Sequence, residues 1–297
     1  MKYIKLEYLL RYDRQVLWRY PAETVFRSVL GMQFRRLCCV LREQESCASC
    51  PLRETCVYAW FFESYISADT KVLPGRNRAS HPFVIEYDEI DAYHARLSIV
   101  FIGKSRNFIP YVTTALERAG EKGISFDRVP FQIEAVVLEG KPYAFSLNSL
   151  EAKSRTWPDA SIQVLDVPFL LVTFETPFRL QENGRYLTCV TGKQLLVACS
   201  RRMEILESLY GDDYSISPVE QYPVSYAFGQ RWVDQDYYSS RQKTAMQLGG
   251  VKGRLLLKGP FSKETIALLA GGLLFHVGKN VSFGLGRYKI EEGRINA

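Results

Sequence analysis

The sequence predicts an α+β protein made of two tandem ferredoxin-like (RRM-like) domains, each ordered β-α-β-β-α-β, with a cysteine-rich insertion in the first. Three observations carry that prediction. Strand-like alternation and helix-like periodicity follow one another in the same order in both halves. The segment KGISFDRVPFQIE (Lys122 to Glu134) aligns without gaps on KNVSFGLGRYKIE (Lys279 to Glu291), with identical Lys, Ser, Phe, Ile and Glu. Five of the seven cysteines crowd into positions 38 to 56, interrupting an otherwise regular pattern. The expected domains are residues 1–160 and 161–297.

Each element has its local reason. Residues 2 to 18 alternate as a strand. Pro21 opens a helical pattern with Val25, Val29, Met32 and Leu37 on one face. FVIEYDEI and HARLSIVFIG read as strands, a second helix covers about Phe108 to Ala119, and GISFDRVPFQIEAVVL returns to strand character. In the second half VPFLLVTFETPFRL is a strand and TGKQLLVACSRRMEILESLYG a helix. VSYAFGQRWVD and GGVKGRLLLKGPF are strands, with QDYYSSRQKTAMQ expected as a loop between them. SKETIALLAGGLLFHVG reads as a helix that both the Gly271–Gly272 pair and Gly278 break or end, before the closing strand SFGLGRYKIEEG.

Charge is unevenly placed. From Tyr222 onward there are 11 Lys and Arg against 5 Asp and Glu, while the rest of the chain carries 27 of each sign, so the last quarter holds the whole net charge of +6. A local basic excess fits either a polyanionic partner such as RNA or DNA, or a lysine-rich solvated surface. No apolar run reaches the roughly 20 residues that span a bilayer, and the N-terminus has no signal-peptide pattern. The expectation is a cytoplasmic protein with no membrane association.

The cysteines read as thiols of a reducing compartment rather than a disulfide framework. Cys47 and Cys50 form a C-x2-C pair, flanked by Cys39 (or Cys38) and Cys56. Four such thiolates can enclose a structural zinc ion or ligate an iron–sulfur cluster. The spacing also fits ordinary reduced cysteines, since no second C-x2-C pair follows. Cys189 and Cys199 lie in apolar contexts and are expected in the core.

The stretch HVGKNVSFGLGRY, from His276 to Tyr288, is glycine-rich and basic. It is neither a Walker loop nor a Rossmann fingerprint, because both need a strand before the glycines and a helix after them, and here the helix comes first. Two readings remain. Glycines can let the backbone approach a nucleic-acid phosphate, with Lys279 and Arg287 adding charge. Alternatively, Gly284 and Gly286 only permit positive φ in a tight turn.

Two ferredoxin-like halves ending in helix, glycine-rich loop and strand resemble the CRISPR-associated Cas6 endoribonucleases. FLLVTFETPFRL, SSRQKTAMQLGGVKG and HVGKNVSFGLGRYKI carry the likeness, with FIPYVTTALERAGEKGISFDR and the cysteine segment resembling one branch of that family. The resemblance implies a metal-independent endoribonuclease that binds CRISPR repeat RNA and cuts the precursor crRNA. The ribose 2′-hydroxyl attacks the adjacent phosphate, leaving a 2′,3′-cyclic phosphate and a 5′-hydroxyl, with no cofactor needed for cleavage. The alternative is a non-catalytic crRNA-binding subunit of a CRISPR effector complex. Other effector subunits are possible partners, and DNA is not expected.

Such chemistry asks for a base, cations at the phosphorane and an acid. Many family members place a catalytic histidine on the first helix, but VFRSVLGMQFRRLCC has none. Of the three histidines, His81 and His94 read as structural or solvated and His276, beside the glycine-rich loop, as the base. Tyr238 and Arg241 are the accompanying catalytic candidates. Lys279, Asn280, Ser282, Gly284, Gly286, Arg287, Lys243 and Arg35 are the expected RNA contacts, and Cys39, Cys47, Cys50 and Cys56 the expected metal ligands.

Overall fold

Strand β1 (Lys2–Tyr12) is the hub of the N-terminal unit in the computed structural model, which describes residues 1–44, 46–66, 72–144, 153–212, 215–239 and 244–292. Side chains alternate along it, so Ile4, Leu6, Tyr8, Leu10 and Tyr12 all point inward and are buried. It pairs antiparallel with β3 (His94–Ile102) on one side and β4 (Phe131–Leu138) on the other. Strand β2 (Phe83–Glu89) pairs with β3, giving the order β2-β3-β1-β4. Helices α1 (Ala22–Cys38) and α2 (Ile109–Lys122) pack on this sheet through Phe26, Leu30 and Phe34, and through Val112, Leu116 and Ala119. The Tyr8 hydroxyl, carried into that core, is satisfied by the Thr113 hydroxyl at 3.0 Å.

The cysteine segment is tied down by rings. A short π-helical turn, Ala59–Glu63, delivers Phe61 into the core, where it stacks on Phe34 (5.2 Å) and on Phe83 (4.7 Å).

The C-terminal unit repeats the plan. Strands β5 (Phe169–Phe178), β6 (Ser225–Val233), β7 (Gly250–Lys258) and β8 (Tyr288–Glu292) form an antiparallel sheet ordered β6-β7-β5-β8. Counting the long strands alone, each sheet runs 2-3-1-4, with a helix after the first and third; the two-residue strands Lys141–Pro142 and Arg155–Thr156 extend the first sheet beside β4 and β1. Helix α3 (Gly192–Tyr210) opens with a capping box between Thr191 and Gln194, and α4 (Lys263–Phe275) with Ser262 accepting from the Thr265 N–H. Arg202 of α3 is buried and donates to the Phe275 carbonyl at 3.1 and 3.3 Å, closing the C-terminal end of α4. Burial pushes its guanidinium down to about 10. The two aligned segments hold equivalent places, since Phe131 and Tyr288, which the alignment matches, each begin the fourth long strand of a sheet, the one paired with the first.

Three details differ from the sequence reading. Helix α4 runs straight through Gly271–Gly272. A Cβ at Gly271 would stand 2.8 Å from Met203 Sδ, and one at Gly272 2.1 Å from the Tyr288 hydroxyl, so these glycines serve close packing rather than helix termination. The expected loop of 235–247 contains a two-stranded ribbon, Asp236–Ser239 with Thr244–Gln247. Cys189 is exposed, while Cys199 is buried, 3.7 Å from the Tyr288 hydroxyl.

That last contrast is measurable. Burial pushes the Cys199 thiol from 9.0 up to about 12, and the Tyr288 hydrogen bond offsets this only in part. In the folded protein a thiol-modifying reagent at pH 8 should label Cys189 and spare Cys199, as read by mass spectrometry. Because the folded value is raised, the Cys199 contribution to stability is intact below pH 9.0 and is lost as pH climbs toward 12. Denaturant titrations should show that part of the alkaline slope disappear in Cys199→Ala.

Candidate nucleic-acid interface

The glycine-rich stretch closes on itself. Chain direction changes at His276, which takes φ +52° as α4 ends. The Val277 N–H donates to the Gly286 carbonyl at 3.2 Å, and the Gly286 N–H to the Pro177 carbonyl at 3.1 Å. A Cβ on Gly286 would lie 1.9 Å from the Val277 carbonyl oxygen, and its φ is +77°, so glycine alone fits there. Thr176 stitches the loop to β5: its hydroxyl donates to the Gly284 carbonyl and accepts from the Arg287 N–H, both at 2.9 Å.

This closure revises the expected roles. His276 is fully buried, with Nδ1 3.2 Å from the Leu285 carbonyl, so the ring supports the loop and is not presented to solvent as a base. Ser282, Gly284 and Gly286 are buried as well, and their backbone groups serve the fold. Asn280 is half-buried at φ +63°, and Arg287 pairs with Glu175 at 3.0 Å. Lys279 is the exposed member of the set.

Lys279 does not stand alone. Its ammonium lies 5.3 Å from the centroid of the Tyr186 ring and donates to Gln181. The Arg179 guanidinium lies over the same ring at 4.2 Å and donates to the Gly249 carbonyl at 3.0 Å. Trp232 adds a tilted ring contact to Tyr186 at 5.8 Å. Tyr186 is 40 % exposed, on a two-residue ribbon formed by Gln181–Glu182 and Arg185–Tyr186. The hydrogen bond from Arg179 holds its hydroxyl below the usual tyrosine value, and the charges of Arg179 and Lys279 add to the effect. Two cations on an exposed ring offer phosphate contacts and a stacking surface in one place. The ribbon was legible as an Asn183-Gly184 turn between Arg179 and Tyr186, both residues taking positive φ. Its approach to Lys279, nearly a hundred residues later, was not.

The other predicted residues lie elsewhere. Arg35 donates to the Gln44 carbonyl at 2.7 Å and faces the Tyr58 ring at 6.0 Å, so it braces the cysteine segment. Arg241 and Lys243 lie outside the described residues, and for Tyr238 only the backbone is described, within Asp236–Ser239. The neighbouring Tyr237 is buried against Phe283, ring centroids 4.9 Å apart. His94 pairs with Asp91 at 2.9 Å. His81 sits beside α1, its Nε2 3.0 Å from Arg27 Nη2 and 2.8 Å from the Phe62 carbonyl oxygen.

The four-thiolate site of Cys39, Cys47, Cys50 and Cys56 is not assembled. Among the described residues no three His, Cys, Asp or Glu side chains converge closely enough to hold a metal ion. The Cys39 thiol donates instead to the Leu41 carbonyl at 3.4 Å, and the Cys47–Ser49 turn is held by its own backbone and by Ser46. Burial, with Cys56 and Cys39 nearby, pushes the adjacent Cys38 thiol up to about 11.

Residues 172–288, from within β5 through α3, β6, β7, α4 and the glycine-rich loop to the start of β8, match the family model of the CRISPR-associated endoribonuclease Cas6. That C-terminal segment is thus similar to the Cas6 endoribonucleases. Residues 1–153 match the AF_1859_N N-terminal domain over more than half the chain, and the protein belongs to that family. Of the solved structures, the product complex of Cas6 (TTHB231) from Thermus thermophilus is similar with a TM-score of 0.54 at 12% identity, covering 97% of this chain and 99% of that one. A partial Cas6-RT-Cas1–Cas2 complex gives 0.52 at 14% identity, covering 98% of this chain and 46% of that chain. At such identities the likeness is one of fold. No curated protein matches the sequence. No helix among the described residues is long and apolar enough to cross a membrane.

The geometry of the C-terminal unit gives two expectations. Ultraviolet titration should find a tyrosine ionising below the normal range, lost in Tyr186→Phe and moved upward in Arg179→Ala. Gly286→Ala should cost about 2 kcal/mol or more in denaturant unfolding, through the strained φ and the displaced Val277 carbonyl.

Proposed function

We propose that the protein is a crRNA-processing endoribonuclease, two ferredoxin-like domains that bind CRISPR repeat RNA and cut it once per repeat. The observation that carries this reading is the coincidence of the Cas6 match with the unit that holds exposed Tyr186 and Lys279 beside half-buried Arg179. Cleavage by the ribose 2′-hydroxyl needs no metal ion. The 2′-oxygen loses its proton to a base and bonds to phosphorus; the 5′-oxygen leaves and takes up a proton, giving a 2′,3′-cyclic phosphate and a 5′-hydroxyl.

His81 is the base in this reading, since His276 is buried and His94 is held by Asp91. Arg27 can only donate and the Phe62 carbonyl can only accept, so the two compete for His81 Nε2. With Nε2–H given to Phe62, the neutral ring carries its lone pair on Nδ1. A phosphate that draws Arg27 onto itself selects that tautomer and gains a cation for the phosphorane. Repeat RNA is the partner implied, together with other CRISPR subunits of the kind named in the Cas6-RT-Cas1–Cas2 assembly.

Labelled repeat RNA should be cut in EDTA and spared when the scissile ribose is 2′-deoxy. His81→Gln should lower the single-turnover rate by about two orders of magnitude with binding retained. An unaltered rate removes His81 from the reaction. Tight binding of repeat RNA without any cutting replaces the enzyme by an RNA-holding subunit.

A further inference from the structure

The sheet of the C-terminal unit has a second set of rings. One face is covered: Val172, Leu255 and Leu257 are buried there, and Gly192 of α3 lies against Leu257 and Ser225. The opposite face begins at the edge strand β6, where Tyr226 is 50% and Phe228 46% exposed, and Tyr222 and Val224 precede them in the same alternation at 41% and 58%. Antiparallel register sets Tyr226 opposite Leu256, which is itself buried, Phe228 opposite the exposed Arg254, and, past a register shift, Arg231 opposite Lys252. The Phe228–Arg254 row continues through Thr173 to Lys289, which pairs with Glu291 at 3.1 Å. Exposed rings therefore share a face with Arg231, Lys252, Arg254 and Lys289.

An apolar row on an open edge invites pairing with another protein strand, but this row is interleaved with cations, which favours a polyanion. Spacing narrows the choice. Rings two residues apart on a strand stand about 7 Å apart, near twice the base-stacking rise of about 3.4 Å, so each ring takes a base that has left its neighbour's stack. Duplex RNA cannot offer that, whereas an unpaired segment can.

We propose that this face is a platform for single-stranded RNA, with bases stacked on Tyr226 and Phe228 and phosphates along Arg254 and Lys252. It deepens the endoribonuclease reading, on which the choice of RNA rests, by making an unpaired stretch of the substrate part of what is recognised.

The test uses the full chain and a fluorescein-labelled ten-nucleotide oligouridylate in anisotropy titrations. The Tyr226→Ala/Phe228→Ala double variant should bind at least about tenfold more weakly. Arg254→Ala should flatten the slope of log affinity against log salt by about 0.7. Phe228→Trp, which keeps a ring in place, should retain affinity, and its added emission should be quenched by the oligonucleotide. Double-variant affinity within twofold of the parent overturns the platform, as does a tryptophan at 228 indifferent to RNA. So does a double variant that loses only self-association in sedimentation, which would make the row a contact between copies. Cleavage of repeat RNA is followed in parallel. A parent protein that binds oligouridylate through the rings yet cuts nothing leaves the platform standing and removes the endoribonuclease reading; cutting with ring-independent binding does the reverse.

Discussion

The C-terminal unit depends on one close approach, that of Gly286 to the Val277 carbonyl. A side chain there would stand 1.9 Å from that oxygen, so the loop can fold back on α4 only because the position has none. From this contact the rest follows. Val277 and Gly286 join by a hydrogen bond, Thr176 fastens Gly284 and Arg287 to β5, and the Lys279 N–H meets the Arg179 carbonyl at 2.9 Å. Once those two backbones are joined, their side chains share the Tyr186 ring. The exposed cluster is thus a product of how the loop closes, not of the loop's own exposure.

Burial then separates supporting residues from presented ones. His276, Ser282 and Tyr237 lie within or next to the motif that looks most functional, yet each is buried. Their polar or aromatic groups are spent on holding the turn, because buried polar atoms without partners are costly. Tyr186, Tyr226 and Phe228, which attract no notice in a motif search, keep their rings in solvent. His81 belongs to a middle class. It is half-buried, and its Nε2 is approached by one obligate donor and one obligate acceptor, an arrangement that couples its tautomer to whatever engages Arg27.

The architecture was largely written in local pattern. Alternation in KYIKLEYLLRY, the capping residues Thr191 and Ser262, and the gapless match of the two helix-to-strand segments each act over a few residues, where chain geometry leaves few options. Those signals determined the β-α-β-β-α-β order of both units, the basic character of the last quarter and the resemblance to the Cas6 family. Tertiary packing decided everything that turns on what lies opposite. The Gly271–Gly272 pair reads as a helix breaker until Met203, Trp157 and the Tyr288 hydroxyl are seen against it. The clustered cysteines read equally as ligands or as ordinary thiols, and whether such side chains converge is a matter of packing that spacing does not encode. Arg179, Tyr186 and Lys279 come together only through the closed loop. Sequence spacing encodes period and turn, whereas convergence and burial depend on contacts between residues far apart in the chain.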